Sequence, residues 1–458
     1  MHVMLRTYVI LLTFFIGSIS MSHADKKLLV NAQTHTLDNG LKIIIIPNGL
    51  APVVTVGIIY HIGTADDPLD QVGLSHFLEH MMFKGTKEIP GDEFNKQILK
   101  NGGHTNAFTE FDYTFYHTTI SSKHLGTTIK SEADRMRNLQ FTEKEVDSER
   151  QVVLEERLMR LDNNPLGVAS ERFLRAMHPY HPYGVHPIGF PHHINNYTFK
   201  SLREHYDLYY RPNNATLIIA GKVTLDEALP FIKEHFDNIK SNPIPLRNRP
   251  QNPPRDGLTE TIKQNNKRNS IIQLQWSYDA PHFHSELGKK HYYPLVVLAH
   301  LLGGNSTTEF YYHLVEKKKL AIHVSTNYDG ASIDPKDFSI SAILEATSNV
   351  DALKAEIKIL LDHIQKSGVS VDDLARAKND MLGQLAYLKD GTEDLLNTVA
   401  DYIAKGLTLD DLNTWHKKIE NVSIDDIKEA AQLILSKEPA VILEIHPKSK
   451  EETTAEAA

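Results

Sequence analysis

Residues 73–86 read GLSHFLEHMMFKGT, and within them His76, Glu79 and His80 stand in the order His-x-x-Glu-His. Residues four apart share one face of a helix, so both imidazoles can face a single ion with Glu79 beside them. That is the layout of a zinc hydrolase. Zinc takes neutral imidazole and carboxylate, and a catalytic site needs three protein ligands with one position left open. A third ligand must come from elsewhere, and Glu79 must stay free as general base. With 25 His in 458 residues, chance would produce such a pattern in roughly one chain of this kind in ten, so its surroundings decide. A solvated pair of histidines is the plain alternative. Leu74, Phe77, Leu78, Met81, Met82 and Phe83 speak against it, because titratable groups on so apolar a helix need mutual pairing or a metal to offset desolvation.

Further along, residues 141–162 read FTEKEVDSERQVVLEERLMRLD. Phe141, Val146, Val152, Val153, Leu154, Leu158 and Met159 are spaced for an amphipathic helix. Thr142 with Glu145 has the form of a capping box at its start. Glu149 and Glu156, seven apart, share a face with Glu145 and Val152 beside them, whereas Glu155 points away. Taken alone, charge alternation of this kind usually marks an ordinary solvated, salt-bridged face, with a ligand-bearing face as the alternative.

The two segments together resemble the insulinase/pitrilysin family of zinc peptidases, which carry an inverted zinc motif. The resemblance is to the short bacterial type related to the mitochondrial processing peptidase β subunit. It extends to DNGLKIIIIPN (38–48), GGHTNAFTEFDYTFYHTTI (102–120), HPYGVHPIG (181–189) and YYRPNNATLIIAGKV (209–223), in family order, and so covers most of the chain. It implies that His76, His80 and Glu156 hold one Zn2+ per chain, that Glu79 is the catalytic base, and that Glu149 is an acid supporting the site. HTNAFT (104–109) alternates like a short strand after the Gly102-Gly103 turn. In the family the matching edge strand receives substrate by β-augmentation, which implies that Asn106 and Ala107 line the cleft.

The chain exceeds what one core usually serves, and 41% hydrophobic residues supply two. Lys plus Arg number 49 against 58 Asp plus Glu, a net charge of −9, which disfavours nucleic acid and acidic membrane as partners. With no cysteine in the chain, thiolate ligands and a cysteine nucleophile are excluded. Arg6, the apolar run YVILLTFFI and Ser22-His23-Ala24 form a signal peptide over residues 1–24, with cleavage after Ala24. The run is short for a membrane span, so export to the periplasm without a stable anchor is expected.

Residues 28–240 form the expected zinc-binding domain, the proline-rich 241–257 the linker, 258–447 an inactive homologous domain, and 448–458 a polar tail. IIQLQWSYDAP, PLVVLAHLLGG and PAVILEIHP restart the pattern of the first part, which marks an internal duplication. The expected class is α+β, each domain an antiparallel-rich sheet with helices packed on it. The second copy has no His-x-x-Glu-His. In the family this region supplies an Arg and a Tyr that assist substrate binding, but Val315 and Ile322 stand at those positions. The resemblance therefore implies a zinc endopeptidase for peptides or unfolded polypeptides whose missing Arg and Tyr come from a homologous subunit in a heterodimer. A homodimer is the second choice for its assembly. A non-catalytic peptide-binding or assembly subunit is the alternative function, and plain packing the alternative role for Val315 and Ile322.

Overall fold

A computed structural model of the chain describes residues 30–49, 51–255, 257–266, 270–387 and 391–447. The expected signal peptide and polar tail lie outside the described residues. Six strands form the first sheet: β1 Gln33–Thr36, β2 Lys42–Pro47, β3 Val53–Tyr60, β4 His104–Thr109, β5 Thr114–Ser121 and β6 Ala215–Gly221. Five form the second: β7 Glu260–Asn266, β8 Ile271–Asp279, β9 His323–Tyr328, β10 Asp337–Glu345 and β11 Val441–Pro447. Their orders are β1-β2-β6-β3-β5-β4 and β7-β11-β8-β10-β9.

Without β1 the two sheets have one topology. β2 runs parallel to β6 as β7 does to β11, and the other neighbours are antiparallel in both. The chain is thus an α+β protein of two homologous halves, as the repeated sequence pattern predicts. The innermost strands are rich in isoleucine and valine because both of their faces are covered; every residue of β6 is buried.

One face of the first sheet carries helices α1 Leu74–Met81, α2 Leu125–Asn138, α3 Glu143–Arg157 and α4 Phe199–Tyr209. Val54, Val56, Ile58 and Tyr60 of β3 pack there with Phe77, Leu78, Ile129 and Leu202. On the second sheet α5 Glu286–Gly303, α6 Val350–Ser367 and α8 Ile424–Leu435 bury Leu298, Leu353 and Ile427. Helix α7 Thr392–Ala404 crosses from the second half to the back of the first sheet, where Leu396 and Val399 meet Ile59, Phe115 and Ile218. Gly57 allows the approach: a Cβ there would stand 2.7 Å from the Phe115 ring and 2.9 Å from Leu396 Cδ2.

The irregular segment 241–255 between the sheets is pinned by charge. The Arg249 side chain is covered and ion-pairs with Asp66 (2.8 Å), Asp112 (2.6 Å) and Asp334 (2.8 Å), which joins both halves to the connection. No helix among the described residues is long and apolar enough to cross a membrane.

Two expectations need correction. The motif helix ends at Met81 with Met82 as its cap, so Phe83 lies beyond it. In the second helical segment Val152, Leu158 and Met159 do not join the apolar face but are 48%, 39% and 71% exposed. A π turn over Leu158–Asp162 takes over from α3 and rotates the last two of these off the helical spacing.

Candidate metal centre

Helix α1 begins without a side-chain cap of its own; its N-cap Gly73 sits at φ 100°, and a Cβ there would meet Ile188 O at 2.7 Å. Asp67 satisfies the amides instead. Its carboxylate accepts from Gly73 N–H (2.9 Å), Ser75 N–H (3.2 Å) and Ser75 Oγ (2.6 Å), while His205 Nε2 on α4 stands 3.0 Å from Ser75 Oγ. A carboxylate at a helix start also favours the helix dipole. This anchor fixes the helix one residue before His76.

His76 and His80 project from α1 with ring centroids 4.9 Å apart. Helix α3 opens on the Thr142–Glu145 capping box that the sequence predicts and crosses α1 so that Glu156 comes between the imidazoles. Glu156 Oε2 lies 3.2 Å from His80 Nε2 and 3.6 Å from His76 Nε2. One ligand atom from each residue lies within 4.8 Å of the other two. Of the carboxylates that the spacing left open, Glu156 is the one in this group. Glu149, one turn pair earlier, accepts from His80 Nδ1 at 2.9 Å and pairs with Lys84 through its other oxygen. Glu145 stays at the exposed capping box.

The electrostatics follow from burial and pairing. Burial pulls His76 down to about 3, and the neighbouring His80 adds to this. Burial works the same way on His80, but the Glu149 and Glu156 carboxylates outweigh it and raise His80 to about 9. Glu156 is held well below the usual carboxylate range: burial opposes its ionisation, and His80, His76 and Arg160 overcome that. Burial raises Glu79 to about 6 against the hydrogen bond that Thr109 Oγ1 donates to its Oε2 at 2.5 Å.

Whether these residues suit a metal can be read from their unmet valences. Glu156 Oε2 is buried without a hydrogen-bond partner although it faces two imidazole nitrogens. His80 Nδ1 is engaged by Glu149, which leaves Nε2 turned to the same point. Two imidazoles and a carboxylate converging on one partly covered point match a three-ligand zinc site.

Strand β4 is the outer strand of its sheet, and its alternation separates the two residues assigned to the cleft. Ala107 packs with the core on the α1 side, the side from which Thr109 reaches Glu79. Asn106 belongs to the opposite alternation with Phe108, which packs on the α7 side. The Asn106 side-chain oxygen accepts from Ala107 N–H at 2.9 Å. In the second half Val315 packs against the core, while Ile322 is 47% exposed rather than packed.

Sequence reasoning passed over Asp67, Lys84, Thr109 and Arg160. Two of them had a signal: Thr109 shares the period of Ala107 on β4, and Arg160 stands four residues after Glu156, a spacing suited to an ion pair.

Residues 42–185 match the family model described as insulinase (peptidase family M16), and residues 196–381 match the one described as the peptidase M16 inactive domain. The zinc protease PqqE of Helicobacter pylori is 29% identical over 405 residues, 86% of this chain and 88% of that protein. YmxG of Bacillus subtilis, described as an uncharacterized zinc protease, is 23% identical over 89% of this chain and 97% of its own. A crystal structure of a protease from Helicobacter pylori superposes with a TM-score of 0.83 at 28% identity, over 91% of this chain and all of that one. The periplasmic protease PqqL of Escherichia coli shares the fold, with a TM-score of 0.77 at 21% identity over 93% of this chain and 48% of that one.

Proposed function

The chain belongs to the insulinase (M16) peptidase family, and from that premise we propose that it is a zinc-dependent endopeptidase that hydrolyses peptides or unfolded polypeptides in the periplasm. The observation that carries this reading is the convergence of His76, His80 and Glu156 on one point, with Glu156 Oε2 unsatisfied. In this reading residues 28–240 are the zinc-binding domain, 241–257 the linker and 258–447 the inactive partner domain. The signal peptide is removed after Ala24.

His76, His80 and Glu156 would hold the ion. When bound, zinc supplies Lewis acidity that polarises the scissile carbonyl and makes water at the site more acidic. The rest is the work of the chain. Glu149 accepts the His80 Nδ1 proton and so fixes the tautomer that leaves Nε2 as a ligand atom. Thr109 holds Glu79 Oε2, which leaves Oε1 to take the proton from the attacking water and pass it to the leaving amine. Burial that raises Glu79 to about 6 suits a group that must first accept and then return a proton near neutral pH. Peptide enters extended along β4, pairing main chain with main chain in the reach of Ala107, with Asn106 withdrawing its side-chain oxygen from the Ala107 amide.

Val315 and Ile322 leave the second half without the Arg and Tyr that the family uses near substrate, so a homologous subunit supplies them in a heterodimer. Equal cleavage rates for the purified chain alone and with each co-purifying partner would disprove that part. The central test is Glu79→Gln. It should bind zinc like the parent but lose about 10²- to 10⁴-fold in peptide cleavage. Retained cleavage rejects the mechanism, and a parent protein that binds peptide without cutting it favours the non-catalytic subunit.

A further inference from the structure

One cation beside the ligand set is only partly engaged by it. Arg160 lies in the π turn Leu158–Asp162, four residues beyond Glu156. Its Nη1 stands 2.8 Å from Glu156 Oε1, the oxygen not turned to the imidazoles, and its side chain is 62% exposed. The neighbouring cations are committed elsewhere. Lys84 is mostly covered and paired with Glu149, and Arg157 is buried against Asp162, Glu171 and Gly189 O. A guanidinium carries five N–H donors in a rigid fork that matches a carboxylate. Glu156 takes one arm of it, and solvent reaches most of the rest.

We propose that Arg160 is a carboxylate receptor at the rim of the metal cleft, favouring peptides that present an acidic side chain or a free C-terminal carboxylate within a few residues of the bond to be cut. The inference rests on the peptidase reading and adds a substrate class to it. The net charge of −9 opposes acidic ligands only at a distance, because at physiological salt charges beyond about 8 Å are largely screened. A guanidinium in contact with its ligand is not screened in that way. Its position also fits: the guanidinium meets one oxygen of Glu156 at 2.8 Å while the other oxygen of that carboxylate lies 3.2 Å and 3.6 Å from the His80 and His76 Nε2 atoms, so Arg160 stands one carboxylate away from the point on which the ligands converge.

Binding to the zinc-loaded Glu79→Gln protein separates recognition from turnover. Three fluorescent peptides of one apolar sequence would be compared: one with an acidic side chain and an amidated end, one neutral with a free C-terminus, and one neutral and amidated. At least one carboxylate peptide should bind about five- to tenfold tighter than the neutral amide, with the preference shrinking as salt rises. Which of the two binds tighter identifies the source of the carboxylate. With zinc at saturation, so that any weaker metal affinity from losing the Glu156 partner is made up, adding Arg160→Ala should abolish the preference, and Arg160→Lys should retain part of it. Equal binding of all three peptides overturns the proposal, as does a preference that survives Arg160→Ala. Loss of zinc from Arg160→Ala also overturns it, since Arg160 would then serve only to position Glu156. Cleavage of the neutral amide by the parent protein is read separately: a parent that cuts nothing yet keeps the binding preference refutes the peptidase reading and leaves Arg160 standing.

Discussion

Replacing Glu149 by glutamine should weaken zinc binding although it changes neither size nor reach. In the parent, Glu149 is buried and both of its oxygens are engaged: Oε1 accepts from His80 Nδ1 at 2.9 Å and Oε2 meets the Lys84 ammonium. Burial opposes its charge, yet His80 and Lys84 hold it below the usual carboxylate range, so it is an anion facing two donors. An amide has one acceptor oxygen and one donor NH2. If its oxygen faces His80, the NH2 is forced against the Lys84 ammonium, donor to donor. If its oxygen faces Lys84, the NH2 meets His80 Nδ1 and drives the proton to Nε2, the atom needed by the metal. Either arrangement costs about the free energy of one such supporting contact, a 10- to 100-fold loss of affinity, or about 1.4 to 2.7 kcal/mol. Competition with a fluorescent chelator measures the zinc Kd, and circular dichroism of the metal-free protein checks the fold. Adding Lys84→Met should recover most of the loss, because the amide oxygen can then face His80 with no opposing donor. A Glu149→Gln Kd within twofold of the parent refutes the reasoning, as does a double variant that binds no better than the single one.

Gly57→Ala should destabilise the protein by about 1 to 3 kcal/mol, since its methyl would stand 2.7 Å from the Phe115 ring and 2.9 Å from Leu396 Cδ2; a guanidinium midpoint equal to the parent's would show that α7 can back away without cost. Burial lowers His178 to about 3, and its Nδ1 sits 3.1 Å from the Asn252 amide. In the unfolded chain it titrates near its ordinary value of about 6.5. Between those values the unfolded state binds the extra proton, so this contribution is complete above about pH 6.5 and is lost as pH falls toward 3. Denaturation midpoints measured from pH 7.5 to 4.5 should therefore drop less steeply in His178→Gln than in the parent; identical slopes would remove His178 as a cause.

The parts of the site that were legible in the sequence are those carried by local periodicity. Four-residue spacing places His76 and His80 together, seven-residue spacing places Glu149 and Glu156 together, and the Thr142–Glu145 box marks the start of α3 to the residue. These depend only on helix geometry, which neighbours do not alter. What periodicity could not supply was the crossing of α1 and α3, which decides that Glu156 rather than Glu149 faces both imidazoles; family resemblance made that choice. Lys84 and Asp67 escaped because each lies outside a regular element and acquires its partner only when the chain folds back. Val152, Leu158 and Met159 misled for the opposite reason. Their apolar character implied a core, but Val152, four residues before Glu156 on the same side of α3, is exposed, and the π turn carries the other two outward. Asn106 and Ala107 alternate in side-chain direction along β4, so what they share is the strand's main-chain edge and not a side-chain face.

The two halves differ in how the same topology uses the helix after its second long strand. In the first half this is α1, eight residues long, which buries His76 and Glu79 among Phe77, Leu78 and Met81. In the second it is α5, eighteen residues long, with Leu295, Val297, Leu298, Leu301 and Leu302 buried. Burying ionisable groups is expensive unless each is paired, and apolar replacements of similar volume are often more stable. The first half meets that cost with Asp67 at the helix start, Thr109 on Glu79, and the chain His80–Glu149–Lys84. Each of these partners comes from a different element: a loop, the outer strand, α3 and the turn after α1. Helix α5 buries a single histidine, His291, among these apolar residues, whereas α1 buries His76 and Glu79 together and surrounds them with four partners from separate elements. A fold indifferent to function would drift toward the second arrangement, which argues that the first half is the one working as a site.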